Sequence, residues 1–131
     1  MPDLFLGSER RLKHRKLITR LFKEGQSLFN YPFKLLWLPV DDVTGSPFLF
    51  SVSIPKKPFP KAVDRNRLKR QTREAFRLQQ HQIPTIPGKT ILLMYIYVGK
   101  EALTYDAIDR GIRFLTKLLK KSVRKASPSD V

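Results

Sequence analysis

Residues 61–77, K-A-V-D-R-N-R-L-K-R-Q-T-R-E-A-F-R, have to meet two opposed demands. Seven of the seventeen are Lys or Arg, against two acids, Asp64 and Glu74, yet the stretch keeps an apolar rhythm. A helix resolves the conflict. At about 100° per residue, Asn66, Lys69, Arg70, Arg73 and Arg77 fall within about 60° of one line. Leu68, Thr72 and Ala75 take the opposite side, with Phe76 beside them. Arg65 and Arg67 flank Asn66 at the start, Lys61 precedes them, and Asp64 is the expected N-cap. A charged run is ordinarily a solvated face, but solvated helices mix signs at i,i+4 spacing. This one stacks like charges, which lowers stability unless a polyanion neutralises them.

The remaining chain must supply a core for that helix. With 131 residues it is expected to be one domain, residues 1–125, followed by a flexible tail at 126–131. The net charge of +15 points to an anionic partner, nucleic acid before membrane. Three segments, 10–23, 61–77 and 110–125, hold seven Lys or Arg each, and so 21 of the 26. Each coincides with a helical pattern. With no cysteine, disulfides, thiolate chemistry and cysteine zinc sites are excluded. No apolar run approaches a membrane span, and the start lacks a signal-peptide pattern, so a cytoplasmic protein is expected.

Taken in order, residues 1–13 read as extended or irregular, with Leu4, Phe5, Leu6 and Leu12 available to anchor them. Leu17, Ile18, Leu21 and Phe22 mark a first helix over 15–24, stopped by Gly25. Alternation predicts strands at 33–40 and 48–54, joined as a hairpin through 41–47. One face of that pair, Phe33, Leu35, Trp37, Phe48, Phe50, Val52 and Ile54, is expected in the core. The other, with Lys34, Leu36, Leu38, Leu49, Ser51 and Ser53, is mixed. It is either covered by the first helix or the floor of a groove for an extended ligand. The basic helix should end near His81. Residues 90–98 are almost all apolar, as a strand buried on both faces would be. Strand, helix and strand then form a βαβ unit, right-handed by the general rule. Thr104 caps the last helix, whose core stripe is Ile108, Ile112, Leu115 and Leu119, with Leu118 alongside.

No catalytic constellation accompanies this frame. Asp106 and Asp109 are three apart at a helix start, where such pairs are structural. His14 and His81 lack metal-ligand spacing, and the six glycines are isolated. The residues themselves describe a binding protein. They leave open a pure RNA-binding module, such as a small ribosomal protein. A membrane-surface protein is disfavoured, because the cationic helices lack a separate exposed apolar face.

The run K-A-V-D-R-N-R-L-K-R-Q-T-R-E at 61–74 closely resembles the signature of the protein subunit of bacterial ribonuclease P. Supporting pieces follow in that family's order: R-L-K at 11–13, F-K-E-G at 22–25, S-V-S at 51–53 and L-T-Y at 103–105. The resemblance implies an α+β two-layer sandwich with a mixed sheet and three main helices. It also implies that the crossover carrying the Arg-Asn-Arg helix is left-handed, against the general rule. The implied function is endonucleolytic removal of the 5′ leader from precursor tRNA, with the RNA subunit as catalyst and holder of Mg²⁺. The implied partners are ribonuclease P RNA and precursor tRNA, with no membrane and no obligate protein partner. Lys61, Arg65, Asn66, Arg67, Lys69, Arg70, Arg73 and Arg77 would face the RNA subunit. Ile18, Phe22, Leu36, Ser51 and Ser53 would line the leader cleft. Family members often carry aromatics at the positions of Ile18 and Leu36, and here only Phe22 of these three is aromatic. No protein residue is assigned to catalysis or to a metal.

Overall fold

The computed structural model describes residues 10–42 and 45–126. The elements are α1 (Arg15–Glu24), β1 (Gln26–Asn30), β2 (Phe33–Asp41), β3 (Phe48–Ser53), α2 (Ala62–Gln79), β4 (Lys89–Tyr97) and α3 (Tyr105–Ala126). A short 3-10 turn, Gln80–Gln82, closes α2. The four strands form one mixed sheet in the order β1-β2-β4-β3, antiparallel at the first two junctions and parallel at β3–β4. The expected α+β sandwich is therefore present.

The hairpin is not. β2 and β3 run antiparallel but never pair, because β4 lies between them. The reason is the composition of β4. Ile91, Leu92, Leu93, Tyr95 and Tyr97 are fully buried, and a strand apolar on both faces is stable only in the interior of a covered sheet. The connection after β2 straddles the start of β4. Asp42 N donates to Gly88 O, the Thr90 hydroxyl to Ser46 O, and Ile91 N to Pro47 O. Strand alternation survives the insertion, so the face assignments from sequence hold. Phe33, Leu35, Trp37, Phe48, Phe50 and Ile54 lie in the larger core, with Val52 packed against it. Leu68, Ala75 and Phe76 of α2 and Ile108, Ile112, Leu115 and Leu119 of α3 complete that core. Phe50 stacks on Phe76 at 4.2 Å between ring centroids, and Tyr95 meets the edge of Phe76 at 5.7 Å.

Helix starts follow local chemistry. The Thr104 hydroxyl accepts from Ala107 N at 3.3 Å, the expected cap of α3. Asp64 is not the cap of α2. The helix begins two residues earlier with Lys61 as N-cap, and Asp64 sits inside the first turn, where its charge still suits the dipole. The expected strand at 48–54 stops at Ser53. α3 continues to Ala126, one residue into the expected tail, while 127–131 lie outside the described residues, as do Leu4, Phe5 and Leu6.

The second layer is α1 on the opposite face. Leu12 N donates to Phe50 O at 2.6 Å, which places the N-terminal segment along the outer edge of β3. After α1, Gln26 pairs with Trp37. Phe50, Leu93, Trp37 and Gln26 form one row across the sheet, so α1 crosses its full width. Ten helical residues span about 15 Å, and four strands about 14 Å. Leu21 seals this layer with Leu12, Leu36, Val40, Leu49, Leu92 and Met94.

Gly25 is the pivot from α1 into β1. A Cβ there would collide with the Leu21 carbonyl oxygen, approach Leu21 Cδ1 to 2.9 Å and Trp37 O to 3.3 Å. Gly25→Ala should therefore destabilise the fold by about 1–3 kcal/mol, the usual range for overpacking. Urea denaturation checks this, and an unchanged midpoint would show that the pivot has room.

Candidate RNA-binding surfaces

The structure buries the predicted back of α2. Leu68, Thr72, Ala75 and Phe76 are buried, as is Gln79, whose Oε1 accepts from the Thr116 hydroxyl at 2.9 Å. The charged side stays outward. Lys61, Asn66, Arg67 and Arg70 are exposed, and Arg65, Lys69, Arg73 and Arg77 are half-buried. Two of these are occupied within the protein. The Arg65 guanidinium donates to Phe59 O at 2.8 Å and Pro60 O at 2.9 Å, tying the preceding loop to the helix. Arg77 forms a two-pronged pair with Glu74, at 2.6 and 3.1 Å. That hydrogen bond holds the Glu74 carboxyl below its ordinary range. Lys61, Arg67, Lys69, Arg70 and Arg73 have no acidic partner among the described residues.

Next to this face lies an open pocket of about 240 Å³, lined in part by Arg11, Lys13, Ser51, Lys69 and Arg73. Nε of both Arg11 and Arg73 is buried without a hydrogen-bond partner among the described residues. Burial, and then the like charge of Arg11, pulls the Arg73 guanidinium below its ordinary value. Two like-charged guanidiniums beside an open pocket suit an anion, whose charge would offset their repulsion. Arg11 and Lys13 were legible as part of a basic segment and of the R-L-K piece of the family resemblance, but were given no place in a site. Their place depends on the bridge from Arg11 to Phe50 at the edge of β3.

The second surface is the sheet face under α1. The pairing puts Ser27, Leu36, Met94 and Ser51 in one row and Phe29, Lys34, Ile96 and Ser53 in the next. The first row lies about 3.4 Å along the strands from the row α1 crosses, the second about 10 Å. A helix about 10–12 Å across covers the first and leaves the second open. Burial agrees. Leu36 is 8% exposed and Met94 5%, whereas Lys34 and Phe29 are exposed and Ser53 and Ile96 half-buried. The predicted cleft residues thus divide. Ser51, Ser53 and Ile18 are half-buried, Phe22 is 56% exposed on α1, and Leu36 is mostly packed into the layer beneath the helix. Phe29, at 63% exposure, was missed because β1 itself was not predicted. The run Q-S-L-F-N at 26–30 does not alternate between polar and apolar, so period 2 carried no signal for it.

Four acids are held in ion pairs: Glu24 with Arg20, Glu74 with Arg77, Asp41 with Lys89 and Asp109 with Arg113. Among the described residues no three His, Asp or Glu side chains converge into a group able to hold a metal ion. No helix there is long and apolar enough to cross a membrane.

If the Arg11–Arg73 pocket takes an anion, inorganic phosphate should raise the thermal midpoint more than chloride at equal ionic strength. The excess should shrink in Arg11→Gln/Arg73→Gln. Equal responses in both proteins would mean that the pocket binds nothing.

Comparison with known proteins places this arrangement. The Ribonuclease P family model matches residues 6–123. A ribonuclease P protein component from Porphyromonas gingivalis strain W83 is 36% identical over 115 residues, 86% of this chain and 84% of the relative. One from Chromohalobacter salexigens is 40% identical over 80 residues, 61% of this chain and 56% of that relative's length. The 2.0 Å structure of the Staphylococcus aureus RNase P protein superposes with a TM-score of 0.67 at 25% identity. That superposition covers 85% of this chain and 95% of the other. A sheet in the order β1-β2-β4-β3, with a basic crossover helix on one side and a short helix across the other, is thus a shared architecture, and the chain belongs to the ribonuclease P protein family.

Proposed function

We propose that this chain acts as the protein component of ribonuclease P, in the cytoplasm, promoting endonucleolytic removal of the 5′ leader from precursor tRNA. The observation that carries the reading is the set of cations at α2 that no acid among the described residues neutralises. Arg67, Lys69, Arg70 and Arg73 lie on the outward half of an 18-residue helix whose back is buried in the core, and Lys61 stands at its N-cap. A rigid helix with a uniform cationic face suits a polyanion with fixed phosphate spacing, such as a folded RNA subunit. Asn66 adds donors and an acceptor among them. Arg65 serves the same end from within, by fixing the loop that leads into the helix, and Arg77 stands at the far end, restrained by Glu74.

The groove beside α1 is the proposed path of the single-stranded leader. Its floor is the row Phe29, Lys34, Ile96 and Ser53, with Ser51 half-buried in the row beneath the helix, and Ile18 and Phe22 lie one turn apart on α1, its helical wall. Such a floor can contact bases without demanding a sequence. Catalysis and the Mg²⁺ ions are assigned to the RNA subunit. Family membership and whole-chain order favour this over a ribosomal binding module.

The test is reconstitution. At Mg²⁺ concentrations where ribonuclease P RNA alone is slow, adding the protein should accelerate release of the leader. No gain would refute the assignment. Arg67→Ala/Arg70→Ala should weaken binding of the RNA subunit and flatten its dependence on log salt by about 0.7–0.9 per lost phosphate contact. The circular dichroism spectrum should be unchanged, because neither side chain is buried. An unaltered slope would mean that α2 faces solvent in the complex.

A further inference from the structure

The exposed ring of Phe29 lies where sequence reasoning expected no aromatic group. β1 pairs with β2 so that Phe29 stands directly opposite Lys34, on the face that carries Ile96 and Ser53. Directly opposed side chains in an antiparallel pair are neighbours, about 4.5–5.5 Å apart at Cβ. Phe29 is 63% exposed, and its chain neighbour Leu28 points the other way, into the larger core. The strand is therefore fixed from behind while the ring faces solvent. The ring and the ammonium beside it together suit a ligand that has both a flat π-face and a negative charge, as a nucleotide does. The row continues from Phe29 through Lys34 and Ile96 to Ser53, uncovered by α1, so it is continuous with the proposed leader groove.

We propose that Phe29 and Lys34 form a nucleotide-binding subsite at the β1 end of the groove, where one base of the single-stranded leader stacks on the ring and the ammonium neutralises an adjacent phosphate. This rests on the reading of the groove as the leader path. Stacking needs only a π-face, so the subsite takes any base. It also supplies an aromatic contact from β1, in a chain whose Ile18 and Leu36 are aliphatic. Because Leu36 is largely covered by α1, an aromatic group one row further along reaches solvent where position 36 does not.

The test uses the holoenzyme reconstituted with ribonuclease P RNA. Affinity is measured for mature tRNA and for precursors whose leaders carry a single abasic nucleotide, moved one position at a time. With the wild-type protein, one abasic position should weaken precursor binding about five- to tenfold, within the usual range for a base stacked on an aromatic side chain. Phe29→Leu keeps apolar bulk but removes the π-face. It should lower affinity for the intact precursor by a similar factor, leave mature tRNA unaffected, and abolish the sensitivity at that one position. Phe29→Tyr should retain both. Phe29→Leu binding the intact precursor like wild type would overturn the subsite while leaving the groove assignment standing. If the wild-type protein confers no preference for precursor over mature tRNA, the groove assignment itself falls, and the subsite with it.

Discussion

The structure depends on β4 taking the centre of the sheet. Its apolar side chains face both layers, and only a position between β2 and β3 covers both faces and satisfies both hydrogen-bonding edges. Parallel pairing of β3 with β4 then obliges α2 to cross over the sheet, because parallel neighbours cannot be joined by a tight turn. α2 and α3 share that face, and their contact is locked by Gln79 and Thr116. The other face is left to the short α1, which crosses the strands and covers only part of it. One strand placement thus produces both surfaces: a cationic helix anchored from behind, and a half-open groove.

The same arrangement explains how the chain tolerates its charge. Ion pairs in the protein engage Arg20, Arg77, Lys89 and Arg113. Such exposed pairs contribute little stability, and they do not reach the middle of α2. There Lys69, Arg70 and Arg73 repel one another, and Arg11 is brought against Arg73 from the N-terminal segment. The fold holds these groups together because Leu68, Ala75 and Phe76 on the reverse of the helix are fully buried. Hydrophobic burial on one side sustains electrostatic repulsion on the other, which a polyanion bound at that face would relieve.

Much of this was legible in the residues. The period of 3.6 in α2 separates its buried side from its cationic side correctly, the limits of α1 fall where Gly25 places them, and the stripe of α3 is as expected. Strand order was not legible, since alternation fixes which face a residue occupies and says nothing about which strand lies beside it. Two short antiparallel runs suggest a hairpin, and only the burial of β4 on both faces reveals the insertion. β1 escaped because five residues with mixed polarity carry too weak a period, and Phe29 was lost with it. Arg65 shows the reverse limit. Its type and position mark it as a cation for RNA, whereas its contacts with the Phe59 and Pro60 carbonyls show that it also holds the loop.

The central claim is a division of labour between the two faces, with the RNA subunit on α2 and the leader across the sheet. The chain contains no cysteine, so single cysteines can carry a photo-crosslinker without background. Asn66→Cys, on the exposed side of α2, and Ser53→Cys, on the groove floor, should each be joined to the reconstituted holoenzyme with bound precursor tRNA. The account predicts attachment of position 66 to the RNA subunit and of position 53 to the leader. Attachment of both positions to the same RNA, or the reverse assignment, would contradict it.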